Sequence, residues 1–367
     1  MKLKKLFAGI VAVAMMATMA IPAFATETDA AASKKSVNNG EPVTSVTLKK
    51  VYDVKSGTAP ADEVTITLAP STTAPTNSSA TSNPMPRKTE YKATISSAST
   101  KTSFDFETID LTQFGFSAPG LYYYTLTENA GNKQGVEYQT DVVYMTVSVT
   151  NKIDADGNIT DVAAGGDKFE YVVALRKNGE KIEDSEAFTN EYNAGSMEVT
   201  KVVRGNGSDR DKTFYFKATF TKTNGKTVSG ITVKAPNAAE AAALNLDFGE
   251  GNTAVYYFSE GHKQTTTFAN IPYDVNVKIE ELQEDKGAAV VNNQLGDYTV
   301  TYTNENKTFG KGNDKVQGTV ATEIENKSTV NVDTGVILDN APYIALLTIV
   351  AAGAVVMILK KRRNYED

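Results

Sequence analysis

The chain of 367 residues contains no cysteine, no tryptophan and a single histidine, His262. Without thiols it can form neither a disulfide nor a thiolate metal site, and it has no cysteine nucleophile. One imidazole excludes a His-rich zinc centre and argues against a Ser-His-Asp triad. His262 itself lies in the polar turn Glu260-Gly261-His262-Lys263 and is expected to be solvated. The run Asp154-Ala155-Asp156-Gly157-Asn158 opens like a calcium loop. It carries Ile159 where such a loop needs Gly and Gly165 where it needs a bidentate Glu, so it reads as an Asp-Gly hairpin turn. No metal and no cofactor is expected, and the nucleophile and metal inventory speaks against a wall-bound hydrolase.

Positive charge is also in short supply. The formal net charge is −7, and setting aside residues 1–25 and 335–367 leaves −11. An acidic surface of that kind has no electrostatic reason to bind nucleic acid or anionic lipid.

Long apolar runs occur only at the two ends. At the N-terminus Lys2, Lys4 and Lys5 precede the apolar stretch Leu6 to Ile21, and Ala23-Phe24-Ala25 is an A-x-A cleavage site. Residues 1–25 are therefore expected to be a removed secretory signal. At the C-terminus Asn331-Val332-Asp333-Thr334-Gly335 is followed by nineteen uncharged residues, 341–359, and then by Lys360-Lys361-Arg362-Arg363. As a helix that stretch would span about 28 Å, close to the hydrocarbon thickness of a bilayer. The four cations would hold the tail on the cytoplasmic side. The arrangement in 331–367 reads as a cell-wall sorting signal, with the bond Thr334–Gly335 as the predicted sortase cut, although Asn331-Val332 departs from the commonest Leu-Pro opening. The competing reading is an ordinary single-pass anchor with a chance Thr-Gly upstream. The product would be secreted and attached covalently to the peptidoglycan of a Gram-positive wall, after a membrane-held precursor stage.

Between the ends the sequence alternates with period two, as in Val46 to Val54, Phe104 to Phe106, Tyr122 to Leu126 and Tyr144 to Val149. Val, Thr and Tyr fill these runs, and Gly, Asn, Asp and Pro separate them. This predicts an all-β chain of two tandem immunoglobulin-like β-sandwich domains, at 42–193 and 194–330, after a polar, mobile segment 26–41. Residues 69–88 are expected to be an exposed loop. Ala238 to Leu244 is expected to be a short helix.

Both halves repeat one order of residues: a Lys in the first strand, a Glu in a middle strand, an Asn in the last. They are Lys50, Glu128 and Asn190, then Lys201, Glu281 and Asn326. Lys50 shares its strand face with Val46, Leu48, Tyr52 and Val54, and Lys201 shares its face with Met197, Val199 and Val203. Tyr124 and Leu126 stand in step with Glu128, Val277 and Ile279 with Glu281, Phe188 with Asn190, and Ile324 with Asn326. All six polar groups are thus predicted to be buried. Burial lowers a Lys pKa and raises that of a Glu, favouring a neutral amine beside a protonated carboxyl. Such an amine can attack the Asn side chain while the carboxyl polarises its carbonyl and passes protons to the departing ammonia. The product is an intramolecular Lys–Asn isopeptide bond, formed once. The competing reading is a buried ion pair with a hydrogen-bonded Asn in each domain. Lys49 and Glu280 should face solvent, and Asn304 competes with Asn326 as acceptor.

The stretches LKKVYDV, APGLYYYTLTEN, GVEYQTDVVYMTVSV and AFTNEY resemble the streptococcal-type pilin isopeptide linkage domain. The second half, through VTKVVRGNGSDRDKTFYF, NIPYDVNVKIEE and IENK, is similar to the C-terminal domain of the same two-domain major pilins, with Ile324 in place of the usual aromatic residue. TGVILDNAPYIALL resembles their sorting segment. The resemblance implies that Lys50 and Lys201 are cross-linking amines, Asn190 and Asn326 acceptors, and Glu128 and Glu281 the catalytic carboxyls. It further implies an intersubunit lysine just before the last strand of the first domain, where Lys181 holds the closest position and Lys177 the alternate.

The implied function is structural: the backbone subunit of a sortase-assembled covalent pilus, a substrate of sortase rather than an enzyme. Its partners would be sortase, identical subunits, minor pilins, peptidoglycan and a host ligand. The alternative is a monomeric wall-anchored adhesin or minor pilin that uses the same domains as a stalk.

Overall fold

A computed structural model describes residues 37–160 and 168–330. The secretory signal, the sorting signal with Thr334 and Gly335, and the apolar span 341–359 lie outside the described residues.

Strands account for nearly all the regular structure. The first group is β1 (Ser45–Val46), β2 (Lys49–Val54), β3 (Asp62–Pro70), β4 (Glu90–Ile95), β5 (Thr102–Asp105) and β6 (Ile109–Asp110). It continues with β7 (Gly120–Asn129), β8 (Val136–Glu137), β9 (Val143–Asn151), β10 (Phe169–Lys177), β11 (Glu180–Ile182) and β12 (Phe188–Tyr192). The second group begins with β13 (Ala194–Arg204), β14 (Phe214–Thr221), β15 (Thr232–Lys234), β16 (Ala242–Ala243), β17 (Thr253–Glu260) and β18 (Thr265–Pro272). It ends with β19 (Asn276–Leu282), β20 (Gln294–Leu295), β21 (Tyr298–Thr303), β22 (Asn306–Thr308) and β23 (Thr319–Ser328).

In the first sandwich the six-stranded sheet β11-β10-β9-β7-β3-β4 faces the four-stranded sheet β5-β2-β12-β8. In the second, β16-β15-β18-β13-β23-β21-β20 faces β17-β14-β19-β22. Each sandwich encloses its own apolar cluster, rich in Tyr and Phe. The burial of alternate residues follows from the pleat: β14 (FYFKATFT) buries every second side chain, Phe214, Phe216, Ala218 and Phe220. The first and last strands of each sandwich are parallel neighbours, β2 with β12 and β13 with β23, in otherwise antiparallel sheets. Only Asn193 separates β12 from β13.

Three expectations require amendment and a fourth is extended. The run Ala238 to Leu244 is not helical; Ala242–Ala243 instead pairs with Thr232–Val233 at a sheet edge. Seven residues make too few intrahelical bonds to offset nucleation, so the available edge decides. The stretch 46–54 is two strands, with Val46 paired to Ile109 and Lys50 to Phe104 and Phe188. The loop of residues 71–89 is exposed over much of its length, as expected, and is also pinned at one point. Buried Asn83 donates to the carbonyls of Ser71 and Thr73 and accepts from the Tyr123 N–H. Within the N-terminal segment, Val37 is buried in the first core.

The two sandwiches meet through polar contacts. The Asn270 amide accepts from Thr58 N–H and donates to the carbonyls of Thr58 and Gly230. Gln134 donates to the Tyr273 carbonyl and accepts from Thr223 N–H. Lys311 pairs with Glu137 and Glu191. Gly57, at φ +76°, is required at this junction, because a Cβ there would fall 2.2 Å from Asn270 Oδ1.

Candidate functional site: two buried Lys-Glu-Asn triads

Lys50, Asn190, Lys201, Glu281 and Asn326 are fully buried, and the Glu128 side chain is 0% exposed. In each sandwich the Lys and Asn project from the parallel pair, and the Glu reaches them from the facing sheet. In the first, Lys50 Nζ lies 2.5 Å from Glu128 Oε2, and Asn190 Nδ2 donates to Glu128 Oε1 at 2.7 Å. In the second, Lys201 Nζ lies 3.0 Å from Glu281 Oε2, and Asn326 Nδ2 donates to Glu281 Oε1 at 2.7 Å. One carboxyl thus bridges an amine and a carboxamide on each core face.

Burial shifts the ionisation of these groups. Desolvation pulls Lys50 down to about 8, against the opposing pull of Glu128, and pushes Glu128 up. Lys201 likewise falls to about 8 and Glu281 rises. Both shifts favour transfer of the shared proton from amine to carboxyl. The walls differ: the Phe214 ring centroid lies 4.4 Å and that of Phe216 5.6 Å from Lys201 Nζ.

The sequence expectation that Glu would hydrogen-bond the Asn carbonyl is not what the geometry shows. Glu128 and Glu281 face the Asn nitrogens, the leaving-group side. The Asn190 carbonyl oxygen accepts instead from the Gln139 main-chain N–H at 2.9 Å. Asn326 Oδ1 is buried, and among the described residues no hydrogen-bond partner reaches it.

The neighbouring candidates separate cleanly. Lys49 turns outward to Asp105, and Glu280 pairs with Lys217 and Lys278. Asn304 sits in a turn at φ +58° and donates to the Ala321 carbonyl, away from the second triad. Lys177 and Lys181 occupy the hairpin β10–β11, whose Asn178-Gly179 turn has positive φ at both positions. The Lys177 amine donates to the carbonyls of Glu186 and Ala187. Lys181 is half-buried opposite Arg176, and among the described residues no hydrogen bond or ion pair engages its amine. Burial and then Arg176 lower its pKa.

Sequence reading missed the burial of Glu260 and the bond that His262 makes. Glu260 is fully buried at the end of β17, and desolvation pushes it up to about 8. Its partner pattern, a Thr266 N–H on Oε1 and none on Oε2, depends on a turn that periodicity does not define. His262 is not simply solvated, because its Nδ1 accepts from the Val203 N–H. Asp154 caps the hairpin turn by accepting from the N–H groups of Asp156 and Asn158.

Residues 46–193 match the family described as the Spy0128-like isopeptide containing domain. Residues 195–332 match a domain of unknown function, DUF7601. A pilin of Streptococcus pyogenes serotype M1 is 27% identical over 291 residues, covering 77% of this chain and 78% of that protein. The crystal structure of the major pilin from Streptococcus pyogenes superposes with a TM-score of 0.49 at 19% identity, over 78% of this chain and 98% of that one. A second major pilin of that species, T-13, gives 0.47 at 19% identity over 79% and 99%.

These findings define an all-β, isopeptide-domain structural protein, not an enzyme. More particularly, the chain is a backbone pilin subunit of the Streptococcus pyogenes major-pilin type. As such it polymerises with identical subunits into a pilus on the surface of a Gram-positive cell.

Proposed function

We propose that the chain is the shaft subunit of a sortase-assembled covalent pilus, stiffened by two self-made isopeptide bonds, Lys50–Asn190 and Lys201–Asn326. One observation carries this reading. In both sandwiches a desolvated carboxyl lies within hydrogen-bond distance of an amine on one side and a carboxamide nitrogen on the other. A plain ion pair in the core would cost several kcal/mol per ion and would be replaceable by apolar residues. Neutral amine, protonated carboxyl and carboxamide together form a reaction centre with no cofactor. The domains, taken as 42–193 and 194–330, would each close covalently between first and last strand.

Assembly then joins two chemical ends. Sortase would cut Thr334–Gly335 and hold Thr334 as a thioester, and the Lys181 amine of the next subunit would attack it. The Lys181 amine, unengaged among the described residues and with its pKa lowered, supports that choice over Lys177, whose nitrogen is occupied by two main-chain carbonyls. A head-to-tail link between different surfaces is open and produces filaments. Peptidoglycan would receive the last subunit, with minor pilins and a host ligand engaging the finished fibre.

The test is intact mass. The purified whole chain should weigh about 34 Da less than its sequence after any signal removal, from two ammonia molecules of about 17 Da each. A mass equal to the sequence mass would reject both bonds.

A further inference from the structure

Strand β8 pairs with β12 only through Val136–Tyr192 and Glu137–Glu191. Continued in that register, Gln139 would lie opposite Thr189. There the side chain, not the backbone, makes the pairing. Gln139 Oε1 accepts from Thr189 N–H at 3.0 Å, and Nε2 donates to the Ala187 carbonyl at 3.1 Å. The carboxamide replaces a peptide group of the ladder, and the Gln139 main-chain N–H is released from it. That N–H points at Asn190 Oδ1, 2.9 Å away. Because an N–H can only donate, the contact also sets the amide with its nitrogen toward Glu128.

Asn190 Oδ1 is the atom on which negative charge collects when an amine adds to the carboxamide carbon. The second sandwich has no such arrangement. There β21 runs beside β23 from Tyr298–Ser328 to Thr303–Glu323, with Val300 opposite Asn326. The Val300 N–H donates to the Asn293 carbonyl instead, and among the described residues Asn326 Oδ1 has no partner.

We propose that the Gln139 main-chain N–H is the oxyanion donor of the first cross-linking reaction and that the Gln139 side chain positions Asn190 for it. The proposal rests on the isopeptide reading above. In the reaction, the Lys50 Nζ lone pair adds to Asn190 Cγ, and the carbonyl π pair moves onto Oδ1, held by the Gln139 N–H. Collapse restores the carbonyl and breaks the Cγ–Nδ2 bond. Glu128 takes the proton shed by Nζ on Oε2 and delivers one from Oε1 to the departing nitrogen. One amine and one carboxamide become one secondary amide and one ammonia, with no oxidant or co-reactant. The first bond is thereby made faster than the second.

The test follows the whole chain during cell-free translation, by intact mass and by mapping of the two cross-linked peptides. In the wild type the Lys50–Asn190 bond should close before Lys201–Asn326. Gln139→Pro, which removes the N–H, should slow the first bond by about 100-fold or more and leave the second unchanged. Gln139→Ala, which keeps the N–H and loses the side-chain bracket, should slow it by about 10-fold. First-bond closure at the wild-type rate in Gln139→Pro overturns the assignment. Should Gln139→Pro fail to fold, as judged by protease sensitivity, an unchanged rate in Gln139→Ala, or a wild-type second bond as fast as the first, overturns it equally. A wild-type chain that never loses the first ammonia would refute the isopeptide reading, and the Gln139 assignment with it.

Discussion

Lys50 and Asn190 stand on neighbouring parallel strands with a diagonal offset: Lys50 faces Phe188, and Asn190 follows two residues later. Lys201 and Asn326 keep the same offset through Ile324. A step of two along a strand preserves the face, so both side chains enter the same core layer. The parallel pairing also brings the first and last strands of each sandwich together. Tension applied at the two ends would shear that pair, and an isopeptide bond there would carry it past the 139 residues between positions 50 and 190.

Replacing Glu128 by Ala should abolish the first bond and leave a mass deficit of about 17 Da, from the second domain alone. Without the cross-link the first domain loses about 5 kcal/mol of loop-closure stabilisation, a drop of roughly 10–20 °C in its unfolding midpoint. Calorimetry beside intact mass checks both. An unchanged midpoint would mean that the bond contributes no stability.

Asn190→Ala blocks the reaction and keeps the buried pair, so its stability should depend on pH with two opposite slopes. Glu128 is raised in the fold and binds its proton more tightly there than in the unfolded chain. Stability therefore falls as pH rises above the ordinary carboxyl value of 4.5. Lys50 is lowered to about 8, so the unfolded chain binds more protons between about 8 and 10.5, and stability rises again in that window. Urea midpoints across the range should trace a minimum, and a flat profile would remove the pair's desolvation from the account.

Glu260→Gln isolates the buried acid of the second sandwich. With a folded value near 8 against 4.5 unfolded, Glu260 costs stability as pH rises through that window. The variant should match the wild type near pH 5 and exceed it at pH 9, by up to a few kcal/mol. Equal denaturant midpoints at pH 9 would show that Glu260 is ionised without penalty.

Lys181→Ala should collapse an SDS-resistant ladder to monomer in cells that supply a cognate sortase, without altering the intramolecular mass deficit. Lys177→Ala should keep the ladder and destabilise the fold by about 1 kcal/mol, through loss of its bonds to the Glu186 and Ala187 carbonyls. The reverse pattern would move the intersubunit link to Lys177.

Gly57→Ala should loosen the junction between the sandwiches. Its Cβ would displace Asn270, which ties Thr58 to Gly230, and the positive φ adds strain. Small-angle scattering should report a broader distribution of interdomain angles than in the wild type. An unaltered scattering curve would show that Gln134 and Lys311 suffice to hold the junction.

The sequence by itself determined the strands and the faces on which their side chains lie, because a period of two maps directly onto the two sides of a pleated sheet. That is why the burial of Lys50, Glu128, Asn190, Lys201, Glu281 and Asn326 was legible, and why Lys49 and Glu280 could be turned outward. It could not determine what lies across a strand. Which backbone donor meets Asn190, why Asn326 has none, how Gln139 substitutes for a peptide group and how Glu260 comes to be buried all depend on sheet register and on where a strand stops. The edge pairing that prevents a helix at Ala238 to Leu244 is of the same kind. These contacts cross between strands or turns, and the Gln139–Asn190 contact spans 51 positions, so only the tertiary structure brings them together.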